Sequence, residues 1–184
     1  MSSGDELESL AEKAREGSSE AWAELYEANA PAIFRLCRRA LNNRQDAEDA
    51  TAAVFLKARL HLNQFDASRP FAPWIYRVAA NHCWDELRKR RTHAELDDAE
   101  SELQKLEDQA PTPQQAILLN ETKRNVRSAI AALDDRSRLI VILRYFADMS
   151  YEEIGDVLGI SSNFTGVLLL RARRQMRTRL KPGP

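Results

Sequence analysis

The sequence predicts an all-α protein made of two small helical domains joined by an acidic linker. Apolar residues recur at three- and four-residue spacing along most of the 184 residues, and no clear alternating run typical of a β-strand is present. Residues 92–113 are acidic, lack aromatic side chains and contain two prolines, a composition typical of a linker. We therefore expect one domain at 1–91 and a second at 114–184.

Five helices are predicted in the first domain, most of them bounded by a helix-breaking residue. Gly17 ends the first helix, Pro31 separates the second from the third, and Asn42-Asn43 ends the third. Acidic side chains in the first turn of the fourth helix complement its dipole. The loop FDASRP precedes the fifth helix. The predicted ranges are 5–16, 18–28, 32–41, 45–63 and 71–91.

Four helices are predicted in the second domain, and the last two form a helix-turn-helix. Ser150 and Glu153 match a capping box at the start of the first of these two helices. Gly155 and Gly159 suit a close crossing of two helices and a tight turn. Either serine of the Ser161-Ser162 pair can cap the second helix. Such a motif usually places a helix in the DNA major groove. The predicted ranges are about 114–132, 135–147, 151–158 and 162–180.

The net charge of −1 is unevenly distributed along the chain. Residues 1–91 carry 14 basic and 14 acidic side chains, residues 92–116 carry 1 and 7, and residues 117–184 carry 12 and 7. The local net charges are therefore 0, −6 and +5. Basic side chains are concentrated near residues 88–91 and in the C-terminal helix. This asymmetry favours a nucleic-acid partner, although the total charge alone does not.

Other features argue against an enzyme, a metal site and a membrane protein. The three histidines, His61, His82 and His93, lack metal-ligand spacing, and no glycine-rich phosphate loop or nucleophile elbow occurs. Cys37 and Cys83 are expected to be buried thiols rather than a disulfide. No apolar run approaches the ~18 residues that span a bilayer, and the N-terminus lacks a signal peptide's apolar core. We expect a cytoplasmic protein with no cofactor, no small-molecule substrate and no membrane insertion.

Three stretches, in this order, resemble the extracytoplasmic-function sigma factors of bacteria. They are DAEDATAAVFLKA, FDASRPFAPWIYRVAANHCWDELRKRR, and LDDRSRLIVILRYFADMSYEEIGDVLGIS followed by RARRQMR. The resemblance covers roughly residues 18–180. It implies that the first domain binds core RNA polymerase and the promoter −10 element, that the second binds the −35 element, and that an anti-sigma factor is a partner.

The helix predicted at 71–91 carries a stripe suited to melted DNA. At ~100° per residue, one face of about 80° holds Arg77, Asn81, Trp84, Arg88 and Arg91. Cations can meet phosphates, the amide can bond a base edge, and the ring can stack on an unpaired base. By resemblance, Arg77 and Asn81 lie where the family reads or holds the −10 element. The alternative is a solvated basic face with Trp84 in the core.

The loop before this helix resembles the family's base-capturing loop. The resemblance implies that Phe65, Asp66, Ser68 and Arg69 contact the −10 element. Trp74, at the edge of the stripe, is expected in the core.

The helix predicted at 45–63 corresponds to the polymerase-binding helix of the family. The resemblance assigns polymerase contacts to Asp46, Glu48, Asp49 and Phe55. Where many relatives carry Gln-Glu, this chain has Ala52-Ala53, so two polar contacts are missing. The alternative for the acidic residues is charge complementing the helix dipole.

The recognition helix of the second domain is unusually apolar, because residues 164–170 read FTGVLLL where relatives usually carry lysine and arginine. Two explanations remain open. The helix can read the −35 element through its polar start, its arginines and thymine methyl contacts, or an exposed apolar patch can bind a protein. The predicted −35 contacts are Ser162, Asn163, Gly166, Val167, Arg171, Arg173 and Arg174.

The sequence thus predicts an alternative sigma factor that binds core RNA polymerase and directs promoter recognition and transcription initiation. A second hypothesis is a degenerate sigma-like interaction protein, with reduced −35 DNA binding, that serves as an anti-sigma partner. A third is a free-standing helix-turn-helix repressor, which would bind a promoter without polymerase.

Overall fold

The structure is a computed structural model that describes residues 3–94 and 115–180. Within those ranges all regular secondary structure is helical, as the sequence predicts. The chain divides into two compact units, residues 1–91 and 92–184, and each is described by itself. The predicted linker at 92–113 lies, from residue 95 onward, outside the described residues.

Unit 1 is a helical bundle whose core is formed by the inner faces of its helices. Leu25, Ile33 and Leu36 are almost completely buried on one helix, and Val54 and Ile75 are fully buried on two others. Each such aliphatic side chain stabilises the folded state by about 1.5–3 kcal/mol through burial. The elements are α1 (Ser3–Arg15), α2 (Ser19–Leu41), α3 (Arg44–Leu60), a 3₁₀ turn (Leu62–Gln64) and α4 (Phe71–Ala94).

The predicted break at Pro31 is wrong, because α2 runs through this residue without interruption. An internal proline removes one helix hydrogen bond and costs about 3 kcal/mol in an isolated helix. Here the cost is offset by burial on both sides, since Leu25 and Asn29 precede the proline in the core and Ile33 follows it. Pro31 itself is exposed, so the carbonyl that it leaves without a partner can bind water.

The two cysteines join α2 to α4 in the core. Cys37 and Cys83 are both fully buried, as predicted, and their sulfur atoms lie 3.7 Å apart. The hydrogen bond with Cys37, together with burial, raises the pKa of Cys83 well above its ordinary value. Both residues are free thiols. Small side chains at this contact let the two helices approach closely.

Unit 2 contains α5 (Gln115–Ala131), α6 (Asp135–Phe146), α7 (Tyr151–Leu158) and α8 (Ser162–Leu180). Asp134 caps α6 by accepting a hydrogen bond from the Ser137 amide at 3.0 Å. The buried Arg138 guanidinium donates to the carbonyl oxygens of Ala131 and Leu133, and it pairs with Asp135. This arginine therefore fixes the turn between α5 and α6.

The helix-turn-helix is confirmed at α7 and α8. Ser150 and Glu153 form the predicted capping box, with hydrogen bonds of 3.2 and 2.7 Å. Gly159 adopts the left-handed conformation at φ 66° and ends α7. Ser161, rather than Ser162, caps α8 by accepting a hydrogen bond from the Phe164 amide.

The two glycines at 155 and 166 lie in different surroundings. A Cβ atom at Gly155 would lie 2.6 Å from the carbonyl oxygen of Ile160, which is backbone and cannot move without opening the turn. A Cβ atom at Gly166 would lie 3.4 Å from the ring of Tyr151, an ordinary contact distance. Only Gly155 is therefore required by the turn between α7 and α8.

Gly155→Ala is expected to destabilise unit 2 by about 1–3 kcal/mol through overpacking against the turn. Gly166→Ala is the matched control, and it should be neutral or stabilise unit 2 by up to about 1 kcal/mol through helix propensity. Urea unfolding of the full chain, followed by circular dichroism, measures both. Equal midpoints for the two variants would show that Gly155 does not hold the crossing of α7 and α8.

Among the described residues, no helix is both long and apolar enough to cross a membrane.

Candidate nucleic-acid and polymerase-binding sites

The outer face of α4 presents the cations and the amide of the predicted stripe. Arg77, Asn81, Arg88 and Arg91 are exposed, and Arg88 pairs with Asp85 one turn earlier. An exposed ion pair of this kind contributes about 0–1 kcal/mol, so a phosphate can readily replace the carboxylate. The face can therefore bind phosphates and still offer the Asn81 amide to a base edge.

The aromatic member of the stripe is not exposed. Only 6% of the surface of Trp84 is accessible to solvent. The structure therefore shows the alternative, in which Trp84 is a core residue and offers no surface on which a base could stack. Ala80, one turn earlier on the same edge of α4, is fully buried as well. The buried face of α4 is thus wider than a helical wheel predicts, because the wheel fixes the direction of Cβ and not where a long ring lies.

The loop at 65–70 is anchored by aromatic packing. Phe65 is 3% exposed, so its predicted contact with DNA is replaced by a core position. Its ring centroid lies 5.4 Å from those of both Phe71 and Trp74, and the Phe71 and Trp74 rings lie 5.5 Å apart. Trp74, predicted to be in the core, is half-buried beneath this loop. The three rings hold the two ends of the loop together.

The middle of the loop is a turn organised by Asp66. The carboxylate accepts hydrogen bonds from the amide and hydroxyl of Ser68, at 3.0 and 2.7 Å, and pairs with Arg69 at 3.5 Å. The two hydrogen bonds from Ser68 lower the pKa of Asp66 below its ordinary value. All three side chains are exposed. The loop therefore presents a preformed polar surface.

The acidic residues at the start of α3 lie in two different environments. Glu48 and Asp49 are exposed on the outer face of the helix. Asp46 is half-buried and pairs with Arg90 of α4 at 2.5 Å, while Arg90 also donates to the Leu41 carbonyl at 3.2 Å. Arg90 thereby joins the start of α3 and the end of α2 to α4.

Phe55, predicted to contact polymerase, is a core residue. It is 4% exposed, and its ring lies 4.6 Å from Tyr26 and 6.2 Å from Trp22 on α2. Two residues that the sequence analysis missed occupy the outer face instead, since Leu56 and Leu60 are 63% and 69% exposed. Two leucines four residues apart on a polar helix face were the available signal.

His82 lies in a cleft between α3 and α4. Its Nδ1 atom accepts a hydrogen bond from the Lys57 ammonium group at 3.1 Å, since lysine has no acceptor. Burial, and then the charge of Lys57, lower the pKa of His82 below its ordinary value of 6.5, with Lys89 acting in the same direction. Glu86 and Asp85 oppose this shift, but their effect is smaller. Within the described ranges, no cluster of three histidine, cysteine or carboxylate side chains could hold a metal ion.

The outer face of α8 combines polar, apolar and basic side chains. Gly166 is half-buried beside Tyr151, so it faces α7 rather than a groove. Val167, Phe164 and Leu170 are 44%, 41% and 48% exposed, which confirms the predicted apolar surface on this helix. The remaining predicted −35 contacts are all exposed: Ser162, Asn163, Arg171, Arg173 and Arg174.

Both units match models of one protein family. Residues 25–93 match sigma-70 region 2, and residues 123–176 match sigma-70 region 4. The chain is 30% identical over 173 residues to the RNA polymerase sigma factor CnrH of Cupriavidus metallidurans, covering 91% of this chain and 90% of CnrH. This chain belongs to the sigma-70 family.

Further relatives place this sigma factor in the extracytoplasmic-function group. It is 27% identical over 173 residues to the ECF RNA polymerase sigma factor SigW of Bacillus subtilis, covering 91% of this chain and 92% of SigW. The structure of CnrH in complex with the cytosolic domain of CnrY superposes with a TM-score of 0.63 at 25% identity, covering 95% of this chain and 97% of that one. The chain is an alternative sigma factor, which directs promoter recognition and transcription initiation by core RNA polymerase.

The lowered pKa of His82 makes the stability of this sigma factor depend on pH in a definite direction. The unfolded chain takes up a proton on this histidine before the folded chain does. Stability is therefore fully present above pH ~6.5 and is lost as the pH falls towards the lower pKa of the folded state. The urea concentration at the unfolding midpoint of the wild-type protein should therefore decrease when the pH is lowered from 7.5 to 5.5.

His82→Gln should flatten this pH dependence, whereas His61→Gln, at an exposed histidine, should leave it unchanged. Carboxylates with lowered pKa values, such as Glu86, titrate below pH 5.5 and so do not contribute to the change in stability over this range. The same slope in His82→Gln and wild type would contradict the assignment.

Proposed function

We propose that residues 1–91 of this sigma factor bind core polymerase and the −10 element, and that residues 114–184 bind the −35 element across a linker at 92–113. The observation that carries the proposal is the exposed face of α4, where cations and an amide lie next to a preformed polar loop. The protein acts in the cytoplasm, where core polymerase transcribes. Its role is to bind and position rather than to catalyse a reaction of its own.

The −10 contacts in this proposal come from two neighbouring elements. The arginines of α4 hold phosphates, and Asn81 bonds a base edge. The exposed polar groups of the loop receive a base that has left the stack. Trp84 and Phe65 support these elements from the core and do not contact DNA in this arrangement. The contacting residues are Arg77, Asn81, Arg88, Arg91, Asp66, Ser68 and Arg69.

The polymerase contacts in this proposal lie on the outer face of α3. Glu48 and Asp49 supply negative charge near the start of the helix. The exposed Leu56 and Leu60 supply apolar surface near its end. Exposed apolar side chains rimmed by charge are typical of protein interfaces. Asp46 does not contact polymerase in this proposal, because its carboxylate is paired with Arg90; it instead holds the start of α3 against α4.

The −35 contacts in this proposal lie on α8. Ser162 and Asn163 at the start of the helix reach base edges, Val167 touches thymine methyl groups, and the arginines from Arg171 onward hold phosphates. Gly166 lies beside Tyr151 of α7 and does not contact DNA in this arrangement.

The exposed apolar side chains of α8 favour a second candidate function, a degenerate sigma-like protein that binds a partner instead of the −35 element. Phe164, Val167 and Leu170 provide the apolar surface that a partner protein would cover. CnrH, the relative described above, has been captured in complex with the cytosolic domain of CnrY. An anti-sigma factor that binds this chain is compatible with both candidates.

Run-off transcription with purified core polymerase on fragments of the host genome separates the candidates. Polymerase-dependent transcripts with mapped −10 and −35 elements support the sigma factor. Anti-sigma binding without any transcript supports the degenerate interaction protein. Footprints on promoter DNA in the absence of polymerase would instead indicate a repressor.

Charge reversal tests whether Asp46 meets polymerase directly. Asp49→Arg should weaken the affinity for core polymerase at least about tenfold, because it places a like charge in an interface. The double variant Asp46→Arg/Arg90→Asp should stay within about threefold of wild type, because the ion pair is kept in the opposite sense and only the hydrogen bond from Arg90 to the Leu41 carbonyl is lost. Fluorescence anisotropy with labelled sigma factor gives both affinities. A double variant as weak as Asp49→Arg would show that the Asp46 carboxylate itself binds polymerase.

Salt dependence tests the phosphate contacts of α8. Arg171→Ala/Arg174→Ala should reduce the slope of log affinity against log salt by about 2 for holoenzyme on promoter DNA. Val167→Ala/Leu170→Ala removes apolar area from the same face and should lower affinity without changing the slope. An unchanged slope in the arginine variant would favour the protein-partner candidate.

A further inference from the structure

The N-terminal helix α1 lies outside the part of the chain that matches sigma-70 region 2, yet it lies against the loop at 65–70 that precedes α4. The Oε1 atom of Glu8 accepts a hydrogen bond from the backbone amide of Phe71 at 3.0 Å. Phe71 is the first residue of α4 and the residue at which the loop ends. A side chain 63 positions earlier in the sequence thus holds the junction of the loop and the DNA-facing helix.

The start of α4 needs such an external acceptor. The first four amides of a helix have no partner within it, and the residue before Phe71 is Pro70, which has no side-chain acceptor. Pro73 removes one of the four donors, since proline has no N–H. The Glu8 carboxylate satisfies the first amide and also places negative charge at the positive end of the helix dipole.

Other contacts of the loop hold its own residues in place. Asp66 closes the turn through Ser68, and the Phe65 and Phe71 rings lie against each other beneath the loop. These contacts fix the shape of the loop. The hydrogen bond that Glu8 accepts from the Phe71 amide joins the end of the loop to a separate helix, and it thereby helps to set the position of the loop relative to the outer face of α4.

Glu12 provides an internal comparison. Glu8, Ser9 and Glu12 of α1 line an open cleft whose other wall is formed by residues 67–70 of the loop. Glu12 places a second carboxylate in the cleft, and it is exposed. The amide of Phe71 is bonded by Glu8. The charge of the cleft and the hydrogen bond to α4 can therefore be separated by mutation.

We propose that Glu8 is a positioning residue for −10 recognition: it holds the exit of the loop on the first turn of α4, so that the loop and the Asn81 face meet the same stretch of DNA. Glu8 touches no nucleotide in this account. The inference rests on the proposed function, and it extends the −10 reading apparatus to a helix beyond the matched region.

The test uses full-length sigma factor in holoenzyme with core polymerase, on a promoter mapped by run-off transcription. The readout is the ratio of open-complex formation rates on that promoter and on one with a substituted −10 base, together with the affinity for core polymerase. Glu8→Ala should lower the ratio about tenfold, as expected for losing a hydrogen bond to a charged group. Its affinity for core polymerase should stay within about twofold of wild type, because α3 makes those contacts.

Three further variants test whether the hydrogen bond of Glu8 or its charge is responsible for the discrimination. Glu8→Gln keeps an oxygen acceptor at the same reach and should keep most of the discrimination, whereas Glu8→Asp keeps the charge but is one methylene shorter and should lose it. Glu12→Ala should behave as wild type. The comparison of Gln with Asp decides the question even if Glu8→Ala fails to fold.

Several results would overturn the proposal. They are an unchanged ratio in Glu8→Ala, equal losses in Glu8→Gln and Glu8→Asp, the same loss in Glu12→Ala, or a loss of polymerase affinity that matches the loss of opening. If the wild-type holoenzyme opens no promoter at all, the proposed function fails and this inference fails with it. Normal opening by wild type with an unchanged ratio in Glu8→Ala rejects the inference alone.

Discussion

The close packing of α4 against the other helices of unit 1 is the constraint on which its exposed face, with Arg77, Asn81, Arg88 and Arg91, depends. Ala79, Ala80 and Cys83 are fully buried on its inner side, and Cys83 lies against Cys37 of α2. Side chains this small leave little room for a helix to rotate, because any larger group turned inward would have to displace a neighbour. The rotation of α4 is thereby fixed, and Asn81 points outward for the same reason that Cys83 points inward.

Local sequence signals predicted most of the helices, because caps and turns are determined by neighbouring residues. The capping box at Ser150, the turn at Gly159 and the serine cap of α8 depend on contacts within four residues. Pro31 misled the prediction, because its cost is local whereas the burial that offsets it comes from other helices. The ranges of the last four helices were predicted to within about one residue, although residues 95–113 of the predicted linker lie outside the described residues.

The exposure of the candidate site residues was predictable for most charged side chains but not for the aromatic ones. Trp84, Phe65 and Phe55 were each assigned to a binding surface, and all three are buried. A large ring on a helix stripe suits both a core and a stacking surface, so sequence spacing alone cannot choose between them. Arginine and glutamate are rarely buried without a partner, which is why their predicted exposure is the safer inference.

Contacts between distant residues were beyond the reach of the sequence, and they decide how the sites are held. Arg90 links α4 to the start of α3, and Glu8 links α1 to the start of α4. The Arg90–Asp46 pair is more than a third exposed on both sides, so it contributes only about 0–1 kcal/mol to stability. Its importance is geometric rather than energetic, because it joins α3, the proposed polymerase-binding helix, to α4, the proposed −10-binding helix. If polymerase covers α3 as proposed, water is excluded from the pair, and the stronger attraction between its two charges is opposed by the cost of desolvating them. The pair therefore orients the start of α3 against α4 while it contributes little to the stability of the free protein.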